Sequence, residues 1–119
     1  MHELSLIASV FEVLEDEARK HRATRVTEVV LKVGAMSGAV PDLLGSAFDA
    51  YKKGTPAEDA RLEIVVVPVR LRCPDCGGET VREETDFSCA GCGSRRVEIV
   101  EGREIFVDKI ELEISANLT

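Results

Sequence analysis

Four cysteines set as two CxxC pairs constrain this chain more than any other feature. Cys73 and Cys76 lie in CPDCGG, Cys89 and Cys92 in CAGCGS, and residues 77–88 separate the pairs. No other cysteine occurs in the 119 residues. Thiols spaced this way point into one cavity when the loop between them closes as a tight knuckle. Two knuckles then supply four soft donors at tetrahedral angles, the arrangement Zn²⁺ takes in structural sites. Gly77 and Gly93 follow the pairs. A residue without Cβ takes positive φ at little cost and turns backbone N–H groups towards the thiolates. The spacing predicts a four-cysteine, zinc-ribbon-like module over residues 70–101. Four protein ligands leave no open position for a substrate or an activated water, so the metal is expected to staple the fold. Zinc with four thiolates carries a double negative charge, which Arg72, Arg82, Arg95 and Arg96 are placed to offset.

Other uses of the cysteines fit less well. Two disulfides need an oxidising compartment, yet the N-terminus carries Glu3 and lacks the basic n-region of a signal peptide. The expected compartment is therefore the cytoplasm, where thiols stay reduced. A catalytic CxxC is more often a lone pair on a thioredoxin-like turn. Rubredoxin-type iron uses the same four-thiolate spacing and stays open on spacing alone. Phe87 is the one aromatic nearby, which offers little shielding for an electron carrier.

A net charge of −7 disfavours a nucleic-acid partner, because Lys and Arg dominate phosphate binding. No apolar run approaches the roughly 20 residues needed to cross a bilayer, so no membrane partner is expected.

Leu4, Ile7, Ala8, Phe11, Leu14 and Ala18 recur at helical steps and predict a helix from Leu4 to about His21. From Thr24 to Val33 the residues alternate as a strand, with Thr27, Val29, Leu31 and Val33 on one face and Glu28 and Lys32 on the other. Met36, in the turn Gly34–Gly38, offers a soft metal ligand but reads first as a gap-filling core methionine. Pro41 suits the first position of a second helix reaching about Lys53, with Leu43, Leu44, Ala47, Phe48 and Tyr51 as its stripe. A strand from Arg61 to Val67 and a final one from Arg103 to Ile114 complete the chain, the latter presenting Phe106, Ile110, Leu112 and Ile114 on one face. The expected fold class is α+β: two helices packed on a three-stranded sheet in the order α-β-α-β-module-β, the zinc module being an insertion. Residues 1–69 and 102–119 would form the body, residues 70–101 the metal-binding module.

A second candidate site lies at Met1-His2-Glu3. The α-amine, the amide nitrogen of residue 2 and the imidazole of His2 can close adjacent chelate rings, with the amide of Glu3 as a fourth donor. A plane of nitrogens favours Ni²⁺ or Cu²⁺ over zinc. The plainer reading makes His2 a polar residue before a helix and Glu3 a favourable first-turn anion. Coordination would displace protons from amine and imidazole, so such a site binds and releases with pH.

Taken together, MHELSL, the segment VLKVGAMSGAVPDLLGSAFDAYKKGTPAEDARLEI, the two knuckles and GSRRVEIVEGREIFVDKIELE resemble the HypA/HybF family of hydrogenase maturation proteins over essentially the whole chain. The resemblance implies a nickel-binding α+β domain carrying a four-cysteine zinc domain. It implies Ni²⁺ at Met1, His2 and Glu3 and Zn²⁺ at Cys73, Cys76, Cys89 and Cys92. It further implies a metallochaperone rather than an enzyme. The partners it implies are a HypB-type nucleotidase and the large subunit of [NiFe]-hydrogenase, with urease maturation factors as further partners in some members. The reading that stands beside it is a zinc-ribbon adaptor with no transferable metal.

Overall fold

The computed structural model describes residues 3–82 and 87–114. Along the chain run α1 (Glu3–Lys20), β1 (Ala23–Gly34), α2 (Pro41–Tyr51), β2 (Arg61–Val67), β3 (Val69–Arg72), β4 (Glu79–Arg82), β5 (Glu98–Glu101) and β6 (Ile105–Ile114). The strands form two three-stranded sheets, ordered β2-β1-β6 and β4-β3-β5. The α+β class and the inserted cysteine module are as expected. The chain divides into two compact units, one of Met1–Leu31, Ala39–Val65 and Phe106–Thr119, the other of Lys32–Gly38 and Val66–Ile105.

In the first unit, the apolar steps of α1 bury Ile7, Val10, Phe11, Leu14 and Ala18, and α2 buries Leu44 and Phe48. Phe11 joins the helices: its ring lies 5.3 Å from Phe48 and 4.7 Å from Tyr51, both tilted, a favoured geometry for aromatic pairs. It is 2% exposed. Phe11→Ala is expected to cost about 3–5 kcal/mol, because the lost transfer energy adds to that of the cavity left behind. Urea unfolding followed by far-UV circular dichroism reads this as a lower midpoint. Pro41 opens α2 at its first turn, where the missing N–H is not needed. The stripe of α2 is narrower than its spacing suggests, since Leu43 and Tyr51 are exposed.

Strand order corrects the reading of β1. The strand is central, so long side chains from both neighbours cover the face that alternation makes polar. Glu28 is accordingly 7% exposed. It accepts hydrogen bonds from Arg61 of β2, the Nε bond being 2.9 Å, and Lys109 Nζ of β6 stands 3.9 Å away. The Arg61 hydrogen bonds hold the Glu28 carboxyl below its ordinary pKa. A depressed carboxyl contributes stability that is present above its unfolded pKa and lost as pH falls through the folded one. Glu28→Gln is therefore expected to flatten the acid limb of the stability–pH curve, measured by thermal unfolding from pH 7 downwards. An unaltered acid limb would show that another carboxylate carries it.

On β6 the half-buried positions are Ile105, Val107, Ile110 and Leu112, so the inward parity changes between Val107 and Ile110. Phe106 and Ile114, expected on the covered face, are exposed.

The second unit is built around β3, whose Val69 and Leu71 are buried while Arg70 and Arg72 face solvent. Both neighbours pair with it antiparallel, and the β3–β5 register shifts between Arg70 and Leu71. Arg70 meets Glu101 at 2.8 Å and Arg72 meets Glu98 at 2.6 Å. Three passes of backbone meet beside this sheet: Gly34 N donates to Glu104 O, Ala35 N to Val67 O and Met36 N to Gly102 O, each at 2.8 Å. A Cβ on Gly34 would stand 2.3 Å from Gly102 O, so only glycine admits the approach. Met36 is 40% exposed, which overturns its reading as a core methionine. Its N–H donates to Gly102 O, beside the close backbone approach that Gly34 permits.

Candidate metal centre

Each knuckle is closed by the same pair of backbone bonds. Cys73 N donates to Gly78 O at 2.9 Å and Gly77 N returns to Cys73 O at 2.7 Å; Cys89 N donates to Ser94 O at 2.9 Å and Gly93 N returns to Cys89 O at 2.8 Å. The return bonds need positive φ, which Gly77 (76°) and Gly93 (75°) supply.

The knuckles bring all four Sγ atoms within 4.8 Å of one another. Cys73 and Cys92 sulfurs lie 3.6 Å apart, Cys76 and Cys89 sulfurs 3.5 Å, and all four are free thiols. Four thiolates at roughly 2.3 Å from one ion would stand about 3.8 Å apart, so number, softness and spacing fit a tetrahedral metal. Cys73 and Cys89 are buried, Cys76 and Cys92 exposed.

Four thiols this close do not ionise alike. The N–H groups of Cys92 and Gly91 hold Cys89 down to about 6. At Cys92 the Ser94 N–H favours the thiolate, but the neighbouring thiols, Cys73 first, outweigh it and push the group up to about 12. Cys76 follows the same logic: the Gly78 N–H favours its thiolate and the thiols of Cys89 and Cys73 raise it. A divalent cation removes the conflict by displacing the protons and holding all four as thiolates.

Three of the four arginines expected to offset the thiolates are engaged elsewhere. Arg72 pairs with Glu98, Arg96 with Asp75 at 2.6 Å, and Arg82 donates to Ser88 O at 3.0 Å. Backbone amides, which the knuckle turns aim inward, take over that role. Sequence spacing also missed Asp75, Ser94 and Thr80. Asp75 accepts from both Ser94 and Arg96, and Thr80 accepts the N–H of Ala90 at 3.1 Å. The sole hint was a charged residue inside one CxxC and a hydroxyl just after the other.

Of the N-terminal candidates, Met1 and His2 lie outside the described residues. Glu3 is the first residue of α1, and its Oε2 accepts the N–H of Val40 at 3.2 Å. Val40 is the N-cap of α2 and has no side-chain cap of its own. The carboxylate thus sits where two helices begin, which suits a negative charge. Among the described residues no helix is long and apolar enough to cross a membrane.

Fold and site define a class: a small α+β metal-binding protein with a four-cysteine zinc-ribbon-like module inserted before its last strand. Residues 1–112 match the family model described as "hydrogenase/urease nickel incorporation, metallochaperone, hypA", and the chain belongs to this HypA family. It is 41% identical to the hydrogenase maturation factor HypA of Aquifex aeolicus, over 96% of this chain and 99% of the relative. It is also 41% identical to that of Moorella thermoacetica, over 95% and 100%. The solution structure of the Ni metallochaperone HypA from Helicobacter pylori superposes with a TM-score of 0.70 at 31% identity, covering 97% of this chain and all of that one.

Proposed function

We propose that this chain is a nickel metallochaperone which takes up Ni²⁺ through Met1, His2 and Glu3 and passes it to the large subunit of [NiFe]-hydrogenase. A HypB-type nucleotidase would act as partner, and the urease maturation route as second client. The observation that carries the proposal is the family match, which begins at residue 1 and so takes in the MHE tripeptide. The Glu3–Val40 bond supports it, because it engages the Glu3 carboxylate at the start of α2 and leaves backbone nitrogens and His2 as donors. Nickel is cargo here, and the chain performs no bond-making chemistry of its own. In this reading the four thiolates hold Zn²⁺ permanently, the cytoplasm being the compartment that keeps them reduced.

Titrating untagged protein with Ni²⁺, beside His2→Ala, tests the site. One saturable equivalent in the parent and clearly weakened binding in the variant is the expected result. A zinc-ribbon adaptor would instead hold zinc tightly and show no nickel binding that depends on His2. Ni²⁺-loaded protein mixed with apo large subunit, with and without the nucleotidase and its nucleotide, tests delivery by the nickel recovered on the client.

A further inference from the structure

The two knuckles are joined by a polar clamp that involves no sulfur. Asp75, between Cys73 and Cys76, accepts from Ser94 Oγ through Oδ2 at 2.5 Å and from Arg96 Nη2 through Oδ1 at 2.6 Å. Ser94 Oγ in turn accepts the N–H of Arg96 at 3.1 Å, and the Ser94 carbonyl closes the second knuckle on Cys89. One carboxylate therefore ties the loop of the first knuckle to the exit of the second, using both its oxygens. At the entry side, buried Thr80 of β4 accepts the N–H of Ala90. Residues 87–97 contain no strand, so ladder hydrogen bonds do not hold the second pair of cysteines in place.

We propose that Asp75 is a positioning residue for the metal. By clamping Ser94 and Arg96 it keeps Cys89 and Cys92 turned towards Cys73 and Cys76, and so sets how slowly the four thiolates give up their ion. The proposal rests on the reading that these thiolates hold a metal. A carboxylate held at both oxygens by charged and hydroxyl donors has a fixed orientation, which a single contact does not impose. The Arg96 side chain is 79% exposed, so as a surface ion pair the contact adds little to global stability. Its effect is local. Groups that orient a ligand-bearing loop typically change metal retention by roughly 10–100-fold when removed.

The test uses the full-length chain loaded with Zn²⁺, and in parallel with Co²⁺, and times transfer of the metal to an excess of a chelating dye. Asp75→Ala is expected to release metal roughly 10–100-fold faster than the parent. Ser94→Ala and Asp75→Asn, which keeps one polar contact but loses the charge, should fall between. The sulfur-to-cobalt charge-transfer band should keep its intensity, because all four thiolates still bind, and the melting of α1 and α2 should not move. Should Asp75→Ala fail to load, the other two variants carry the comparison. Release at the parental rate in Ser94→Ala and both Asp75 variants overturns the proposal, as does a weakened band, which would mean a lost ligand. A parent chain that takes up no Co²⁺ with thiolate character would instead overturn the four-thiolate reading itself.

Discussion

Cys76→Ala and Cys92→Ala are each expected to unfold the knuckles and the β4-β3-β5 sheet, within the unit of residues 32–38 and 66–105, while the helices and the β2-β1-β6 sheet stay folded. Structural zinc contributes on the order of 10–16 kcal/mol to folding a small module at neutral pH. The apolar core that would have to replace it is thin. Among the described residues of that unit, the buried apolar side chains are Val33, Val69, Leu71, Cys73 and Cys89, two of which are themselves proposed ligands. The first unit has its own core in Ile7, Phe11, Leu14, Leu44 and Phe48 and needs no metal to keep it. Amide hydrogen exchange separates the outcomes: protection at Leu71 and Thr80 should collapse, while protection at Val29 and Leu31 persists. Equal protection at Leu71 in variant and parent would show that the module stands on packing alone. Stripping zinc with a strong chelator should reproduce the effect without any substitution.

The other large effect belongs to the N-terminus. Adding a few residues ahead of Met1 is expected to abolish specific nickel binding, and His2→Ala to lower affinity at least about tenfold, since square-planar nitrogen ligation loses a donor in each case. The extension is the sharper test because it keeps every side chain. It removes only the α-amine, leaving an amide in its place. Isothermal titration of untagged, extended and His2→Ala proteins reads the result directly. Binding must displace protons from the amine and the imidazole, so affinity should weaken on acidification by about tenfold per displaced proton per pH unit. Full nickel affinity in the extended protein would move the cargo site elsewhere.

These two experiments probe the chain at opposite degrees of legibility. The cysteine site could be read from local spacing, because a CxxC knuckle is closed by bonds between near neighbours in the chain, such as Gly77 N to Cys73 O. Helices α1 and α2 were legible for a similar reason: their apolar steps are local, and Pro41 fixes where the second begins. The final strand was read correctly as a strand and incorrectly at Phe106, since alternation predicts a face only while the parity holds.

By itself, then, the sequence determined the two helices, the three strands of the β2-β1-β6 sheet and the two knuckles, but not the β4-β3-β5 sheet, whose four-residue strands are too short to show a period. Only the tertiary structure decided which partners those segments meet. Glu28 is buried because β1 is the central strand, a placement accompanied by contacts such as Thr24 with Glu113, 89 residues apart. Arg72 and Arg96 answer Glu98 and Asp75 rather than the sulfurs, and Lys32–Gly38 joins the cysteine unit although a long stretch of the other unit intervenes in the chain. Periodicity reports on neighbours within a turn or a pleat. What lies over a side chain depends on strand order and on where distant loops return, and these are properties of the packed molecule.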